Sequence, residues 1–128
     1  MKIFMIVDDS PVIRKVARRI IEDLGFVVVE AEDGEQAIAK ARENMPDGLM
    51  VDWQMPGVTG IDALQEIMTM PGARNVKALY CTSALLVPEM TRAKRAGATG
   101  FIMKPFNRRV IREKLAELGL LEATGQAA

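Results

Sequence analysis

The chain has 128 residues, 49% of them hydrophobic, and its 17 basic and 17 acidic side chains cancel to a formal net charge of +0. That length suits one domain with its own core, and no apolar run approaches the roughly 20 residues of a membrane helix. Histidine is absent and cysteine occurs once, which excludes histidine catalysis, histidine metal sites and an internal disulfide.

Ile3 to Val7 is a short apolar run closed by Asp8-Asp9, the pattern of a parallel strand buried on both faces. Ser10-Pro11 opens a helix, with proline tolerated in the first turn. Ile13, Val16, Ala17, Ile20 and Leu24 then recur at helical spacing until Gly25. Phe26 to Val29 is strand-like. Asp33-Gly34-Glu35-Gln36 resembles a capping box and predicts a second helix to about Asn44. After the Pro46-Asp47-Gly48 loop, Leu49 to Val51 predicts a strand ending on Asp52. Thr59 caps a third helix carrying Ile61, Leu64, Ile67 and Met68, broken by Pro71-Gly72. Val76 to Cys81 predicts a strand ending on Thr82. Pro88 fits the first turn of a fourth helix that Gly97 ends. Phe101 to Met103 predicts a strand ending on Lys104, and Asn107 caps a last helix to about Leu118.

This β-α unit, repeated five times, predicts an α/β fold with a parallel sheet, right-handed crossovers and helices on both faces. One domain is expected over residues 1–120, with a flexible tail at 121–128 and no output domain. The N-terminus reads as a strand and not as a secretory signal. With Cys81 as a small buried residue, a cytoplasmic location is expected.

In such a sheet the carboxyl ends of the strands face a ligand crevice. Asp8, Asp9, Asp52, Thr82 and Lys104 are thereby delivered to one edge. Two carboxylates about 5 Å apart repel by roughly 3 kcal/mol at an effective dielectric near 20, so the cluster calls for a cation or a proton. Oxygen ligands without histidine or thiolate select a hard cation, Mg²⁺ above all, which leaves room for a phosphate. A carboxylate oxygen can accept a phosphoryl group as an acyl phosphate. A metal and an ammonium neutralise the charge on the group in transit. Asp52, alone on its strand end, is the nucleophile candidate. Asp8 and Asp9 are candidate metal ligands, Lys104 the counter-charge and Thr82 a hydroxyl donor. Taken singly, each has a plainer reading: Asp8-Asp9 as a helix cap, Asp52 as a turn residue, Thr82 as a β-former. Their order argues for a site.

The series Val7-Asp8-Asp9-Ser10, Val51-Asp52-Trp53-Gln54-Met55-Pro56-Gly57, Thr82-Ser83-Ala84 and Lys104-Pro105-Phe106 closely resembles a response-regulator receiver domain. The resemblance spans about Lys2 to Leu118 and is strongest to single-domain, CheY-like regulators. It implies a (βα)5 flavodoxin-like fold with strand order 2-1-3-4-5, the order found in CheY itself and not derivable from the pattern of this chain. It implies Asp52 as phosphoacceptor and Mg²⁺ held by Asp9 and Asp52, with Asp8 acting through water and Gln54 through its backbone carbonyl. Lys104 would contact the phosphoryl group, and its bond to Pro105 is expected to be cis. Thr82 would move to that group, and Phe101 would swing into the space it leaves. Phe101 stands where chemotaxis relatives often carry Tyr.

The function so implied is a stand-alone, two-component phosphorelay switch of the chemotaxis kind, not an enzyme. Its expected partners are a histidine kinase or histidine phosphotransfer protein and a downstream protein that reads the fourth helix, fifth strand and fifth helix. A phosphate sink or relay shuttle is an alternative; a Mg²⁺-dependent aspartyl-phosphate phosphohydrolase would need an acid where Gln54 stands. Arg108, Arg109 and Arg112 read as a solvated basic face or as a docking site for an acidic partner or a phosphate-bearing ligand. Arg14, Lys15, Arg18 and Arg19 on the first helix raise the same question, since that helix docks the phosphodonor in this family. No helix-turn-helix remains for DNA binding, and no membrane insertion is expected.

Overall fold

Residues 2–121 are described by the structure, a computed structural model. Five apolar runs lie side by side in parallel: β1 (Ile3–Val7), β2 (Val27–Ala31), β3 (Gly48–Asp52), β4 (Lys77–Thr82) and β5 (Gly100–Met103). Their order is β2-β1-β3-β4-β5, as expected. Between and after them run α1 (Pro11–Asp23), α2 (Gly34–Glu43), α3 (Gly60–Met68), α4 (Val87–Ala96) and α5 (Arg108–Glu117). The fold is flavodoxin-like.

The two-residue repeat of each strand divides the core between the faces of the sheet. Phe4, Ile6, Met50, Leu79, Cys81 and Ile102 pack with Ala17, Ile20 and Ile21 of α1 and Ile111 and Leu115 of α5. Met5, Val7, Leu49, Val51 and Ala78 meet Ala37, Ala41, Leu64, Ile67 and Ala96 of α2, α3 and α4. All five residues of β3 are buried, so the central strand holds its last residue, Asp52, on a rigid support.

Four helices start on the expected caps. The side chains of Ser10, Asp33, Thr59 and Asn107 accept the N–H of Ile13, Gln36, Asp62 and Val110. The capping box of α2 closes one residue early: Gln36 Oε1 accepts the N–H of Glu32 at 3.0 Å and not that of Asp33. Helix α4 begins after Leu86 without a side-chain cap.

Strand β2 begins one residue later than the expected Phe26 and runs on to Ala31. Phe26 instead donates its N–H to Ile21 O, closing the turn after α1, and its ring packs edge-on to Phe4 at 5.8 Å. A short 3₁₀ turn, Ala73–Asn75, precedes β4. Leu121, placed in the tail by the sequence, is buried beside Leu120, because two adjacent leucines complete the apolar layer under α5. The remaining tail, 122–128, lies outside the described residues. Among those described, no helix is long and apolar enough to cross a membrane.

Candidate functional site

The carboxyl ends of β1, β3, β4 and β5 bring Asp8, Asp52, Thr82 and Lys104 to one crevice. Asp8 and Asp52 are only 3% and 5% exposed, whereas Asp9 faces solvent. One carboxylate oxygen from each of Asp8, Asp9 and Asp52 lies within 4.8 Å of the others. Lys104 spans the two buried acids, with Nζ 2.9 Å from Asp8 Oδ2 and 3.0 Å from Asp52 Oδ1. Its bond to Pro105 is cis.

Burial raises the carboxyl pKa of Asp52 above its ordinary value of 3.8; the hydrogen bond from Lys104 opposes this and the charge of Asp8 adds to it. For Lys104, burial alone would lower the ammonium pKa. Hydrogen bonds to Asp8 and Asp52 outweigh it, and the net shift is upward. The ammonium is therefore a fixed charge across the physiological range.

Local structure locks these groups in place. The N–H of Ser10 donates to Asp8 Oδ1 at 2.9 Å. The backbone of Asp8 is held on both sides, its N–H by Ala31 O and its carbonyl by Arg14 Nη1 at 2.7 Å. Arg14 Nε also donates to Glu30 Oε1 at 3.1 Å, and Arg18 Nη1 to Glu30 Oε2 at 2.8 Å. These contacts hold the Glu30 carboxyl below its ordinary range, Arg18 being the largest cause. Trp53 N–H donates to Cys81 O at 3.0 Å, fixing the chain just after Asp52. Gly60, the first residue of α3, packs directly on the Asp52 backbone carbonyl, where any Cβ would collide. Pro56-Gly57 turns the intervening loop, with Gly57 at φ 78°.

The switch candidates are placed but not joined to the acids. Thr82 is buried, and its hydroxyl bonds within its own loop, donating to Ala84 O at 2.9 Å and accepting from Ala84 N–H at 3.2 Å. Phe101 is half-buried and rests edge-on to Tyr80, ring centroids 6.2 Å apart. Gln54 is exposed on the loop after β3. Beside Asp9 a cavity of about 410 Å³ is lined by Glu32, Asp33, Glu35 and the Pro56–Val58 loop, a negative approach that concentrates cations.

Sequence reasoning missed the role of Arg14 in holding Asp8, since it grouped Arg14 and Arg18 with the exposed bases of α1. The signal available was their one-turn spacing; the partner, Glu30, comes from the end of β2. Sequence also missed the buried pair of Tyr80 and Glu89, whose hydroxyl and Oε1 have no hydrogen-bond partner among the described residues.

The donor set fits a hard divalent cation: three carboxylates converge, one of them exposed for entry, and no softer ligand stands near except Cys81. Burial pushes that thiol up to about 12, so it stays protonated.

Comparison with known proteins agrees with this chemistry. The family model described as "Response regulator receiver domain" matches residues 4–116. The chain belongs to that family. It is 34% identical over 115 residues to the chemotaxis protein CheY of Pseudomonas aeruginosa, covering 89% of this chain and 93% of that one. Chemotaxis protein CheY4 of Vibrio cholerae superposes with a TM-score of 0.89 at 30% identity, covering 92% of this chain and 98% of that one. The receiver domain of a Pseudomonas aeruginosa sensor histidine kinase, which holds a magnesium ion coordinated in its active site cleft, superposes with a TM-score of 0.83 at 27% identity; 92% of this chain and 98% of that one are covered. Receiver domains are signalling proteins and not enzymes in the ordinary sense.

Proposed function

We propose that this receiver domain is a phosphorylation switch that takes a phosphoryl group from a phosphohistidine donor onto Asp52. The observation that supports it most is the pairing of two buried acids with one lysine at the sheet edge, beside an exposed third acid. Asp9 and Asp52 would hold Mg²⁺ directly, Asp8 through water and Gln54 through its backbone carbonyl. When bound, Mg²⁺ supplies positive charge for the phosphoryl oxygens.

An Asp52 carboxylate oxygen forms the bond to phosphorus as the phosphorus–nitrogen bond of the donor breaks, and its electron pair leaves on the imidazole nitrogen. The Lys104 ammonium neutralises charge on the transferring group. The burial that raises the Asp52 pKa also strips water from its carboxylate, so the attacking oxygen carries a thin hydration shell. Once the acyl phosphate has formed, the Thr82 hydroxyl exchanges the Ala84 carbonyl for a phosphoryl oxygen, and Phe101 turns inward behind it. The surface of α4, β5 and α5 thereby shifts between two states of different partner affinity.

That surface already offers exposed Leu86, Val87 and Met103. On α5, Arg108 pairs with Asp23 at 2.8 Å and Arg109 with Glu113 at 3.6 Å, so a phosphate-bearing ligand there would compete with both acids. Output by contact with a downstream protein belongs to the same proposal. The chemotaxis relatives favour a place in chemotaxis-type signalling, and a kinase donor places the reaction in the cytoplasm.

Acetyl phosphate with Mg²⁺ is expected to add one phosphoryl group per chain, read by intact-mass spectrometry. Addition without Mg²⁺, or no addition with it, contradicts the reading. Arg14→Ala is expected to weaken Mg²⁺ binding about tenfold by freeing the Asp8 carbonyl. Fluorescence of Trp53, the single tryptophan, reports that titration from the residue next to Asp52.

A further inference from the structure

The cleft between α3 and α4 lies on the flank of the phosphoacceptor loop and takes in Gln54, whose backbone carbonyl is proposed above as a metal ligand. A cavity of about 420 Å³ opens there, its wall formed by Trp53, Met55, Ile61, Asp62, Tyr80 and Arg92. A second hollow of about 220 Å³ continues it along α4, sharing Ile61 and Arg92 and adding Arg95. The larger volume alone falls within the span of small-molecule sites, roughly 300 to 1,000 Å³.

The lining says what such a molecule looks like. The half-buried indole of Trp53, beside the half-buried Ile61, favours a flat aromatic body through ring packing. Tyr80 is 1% exposed, and its hydroxyl has no hydrogen-bond partner among the described residues. Its phenol faces the buried Glu89 and is held protonated by burial and that acid. Arg92 is exposed and, like Arg95, makes no ion pair among the described residues. Asp62 sits in the first turn of α3, where the helix dipole favours its charge. Against the acids Asp62 and Glu89, the groove offers two exposed guanidinium groups on its α4 rim, and a guanidinium binds a planar carboxylate through two parallel hydrogen bonds.

We propose that this groove is a binding site for a small aromatic carboxylate, its ring against Trp53 and Ile61 and its carboxylate on Arg92. An occupant would touch the residue that follows the phosphoacceptor and α4 together.

The test titrates 4-(trifluoromethyl)benzoate into the full chain, followed by fluorine NMR of the probe and amide and indole shifts of the protein. Saturable binding is expected with a dissociation constant on the order of 1 mM or tighter. The shifts should centre on the Trp53 indole N–H and on α3 and α4. Arg92→Glu and the neutral probe 4-(trifluoromethyl)benzyl alcohol should each weaken binding at least tenfold. Arg109→Glu on α5 should leave it unchanged. Asp52→Asn should bind the probe as well as the parent, so loss of the phosphoacceptor reading would leave this one standing. No saturation, shifts centred on α5, or an Arg92→Glu protein that binds like the parent would overturn the assignment. Because Arg92 is exposed, its replacement leaves the core intact, and Arg92→Gln provides a second, milder variant.

Discussion

Asp52→Asn is expected to reduce phosphoryl uptake from acetyl phosphate to the uncatalysed background while making the metal-free protein more stable at neutral pH. The two effects have one origin. An amide oxygen is no phosphoryl acceptor, so the chemistry is lost. The same replacement removes a buried negative charge that burial and Asp8 oppose. The sign follows from proton binding. Because the folded pKa of Asp52 is raised, the folded state holds its proton more tightly than the unfolded chain does. Stability then falls as pH rises from the ordinary carboxylate range through the raised folded value, and stays reduced above it. The stability gain of Asp52→Asn should therefore be full at neutral pH and vanish in acid, as thermal melts across pH would show. Full uptake by the variant would move the phosphoacceptor elsewhere; a variant less stable than the parent at neutral pH would refute the electrostatic account.

Lys104→Ala acts in the opposite direction. Lys104 bridges two buried carboxylates at 2.9 and 3.0 Å, and its removal leaves both unpaired. Breaking such a pair costs about 3 kcal/mol, which lowers the thermal midpoint of a domain this size by roughly 10 °C. Added Mg²⁺ should recover part of the loss by restoring positive charge, and acidification should recover more by protonating the acids. In the parent, the folded pKa of Lys104 is raised. The stabilisation from the pair is thus full at neutral pH, lost at the alkaline end as pH rises from about 10.4 through the higher folded value, and lost in acid as Asp52 takes up its proton. Phosphoryl uptake should slow in the variant as well, since the incoming charge meets no ammonium. Melts of the two proteins that stay equally far apart from neutral to acid pH would exclude this pairing as the source.

The fold was legible because each β-α unit carries its own local signals. Serine, aspartate, threonine and asparagine caps start four of the helices, and apolar runs end at chemistry-bearing residues. The convergence of Asp8, Asp52, Thr82 and Lys104 was legible for a topological reason: a parallel sheet places every strand end on one edge, whatever the strand order. That order needed the family resemblance, because local pattern does not encode which strands are neighbours. Features that depend on side chains meeting across elements stayed hidden. Arg14 and Arg18 share a helix face with solvated bases, and only the end of β2 turns them toward Glu30. Phe26 is apolar and follows a glycine, so it reads as the start of a strand. Its backbone instead belongs to the turn closing α1. Tyr80 looks like any strand residue until Glu89 of α4 is buried beside it. The roles proposed for Thr82 and Phe101 leave no mark in the present contacts, where the Thr82 hydroxyl bonds Ala84 and Phe101 rests on Tyr80.

Cys81 has a practical consequence for anyone wishing to watch these movements. It is the chain's single cysteine, it is 2% exposed, and its thiol is pushed up to about 12. At neutral pH the buried thiol stays protonated and unreactive. A thiol-directed dye or spin label therefore attaches selectively to a cysteine introduced on the surface of α4 or α5, without first deleting the native one. The wild-type core can thus be kept intact in distance measurements between labelled positions.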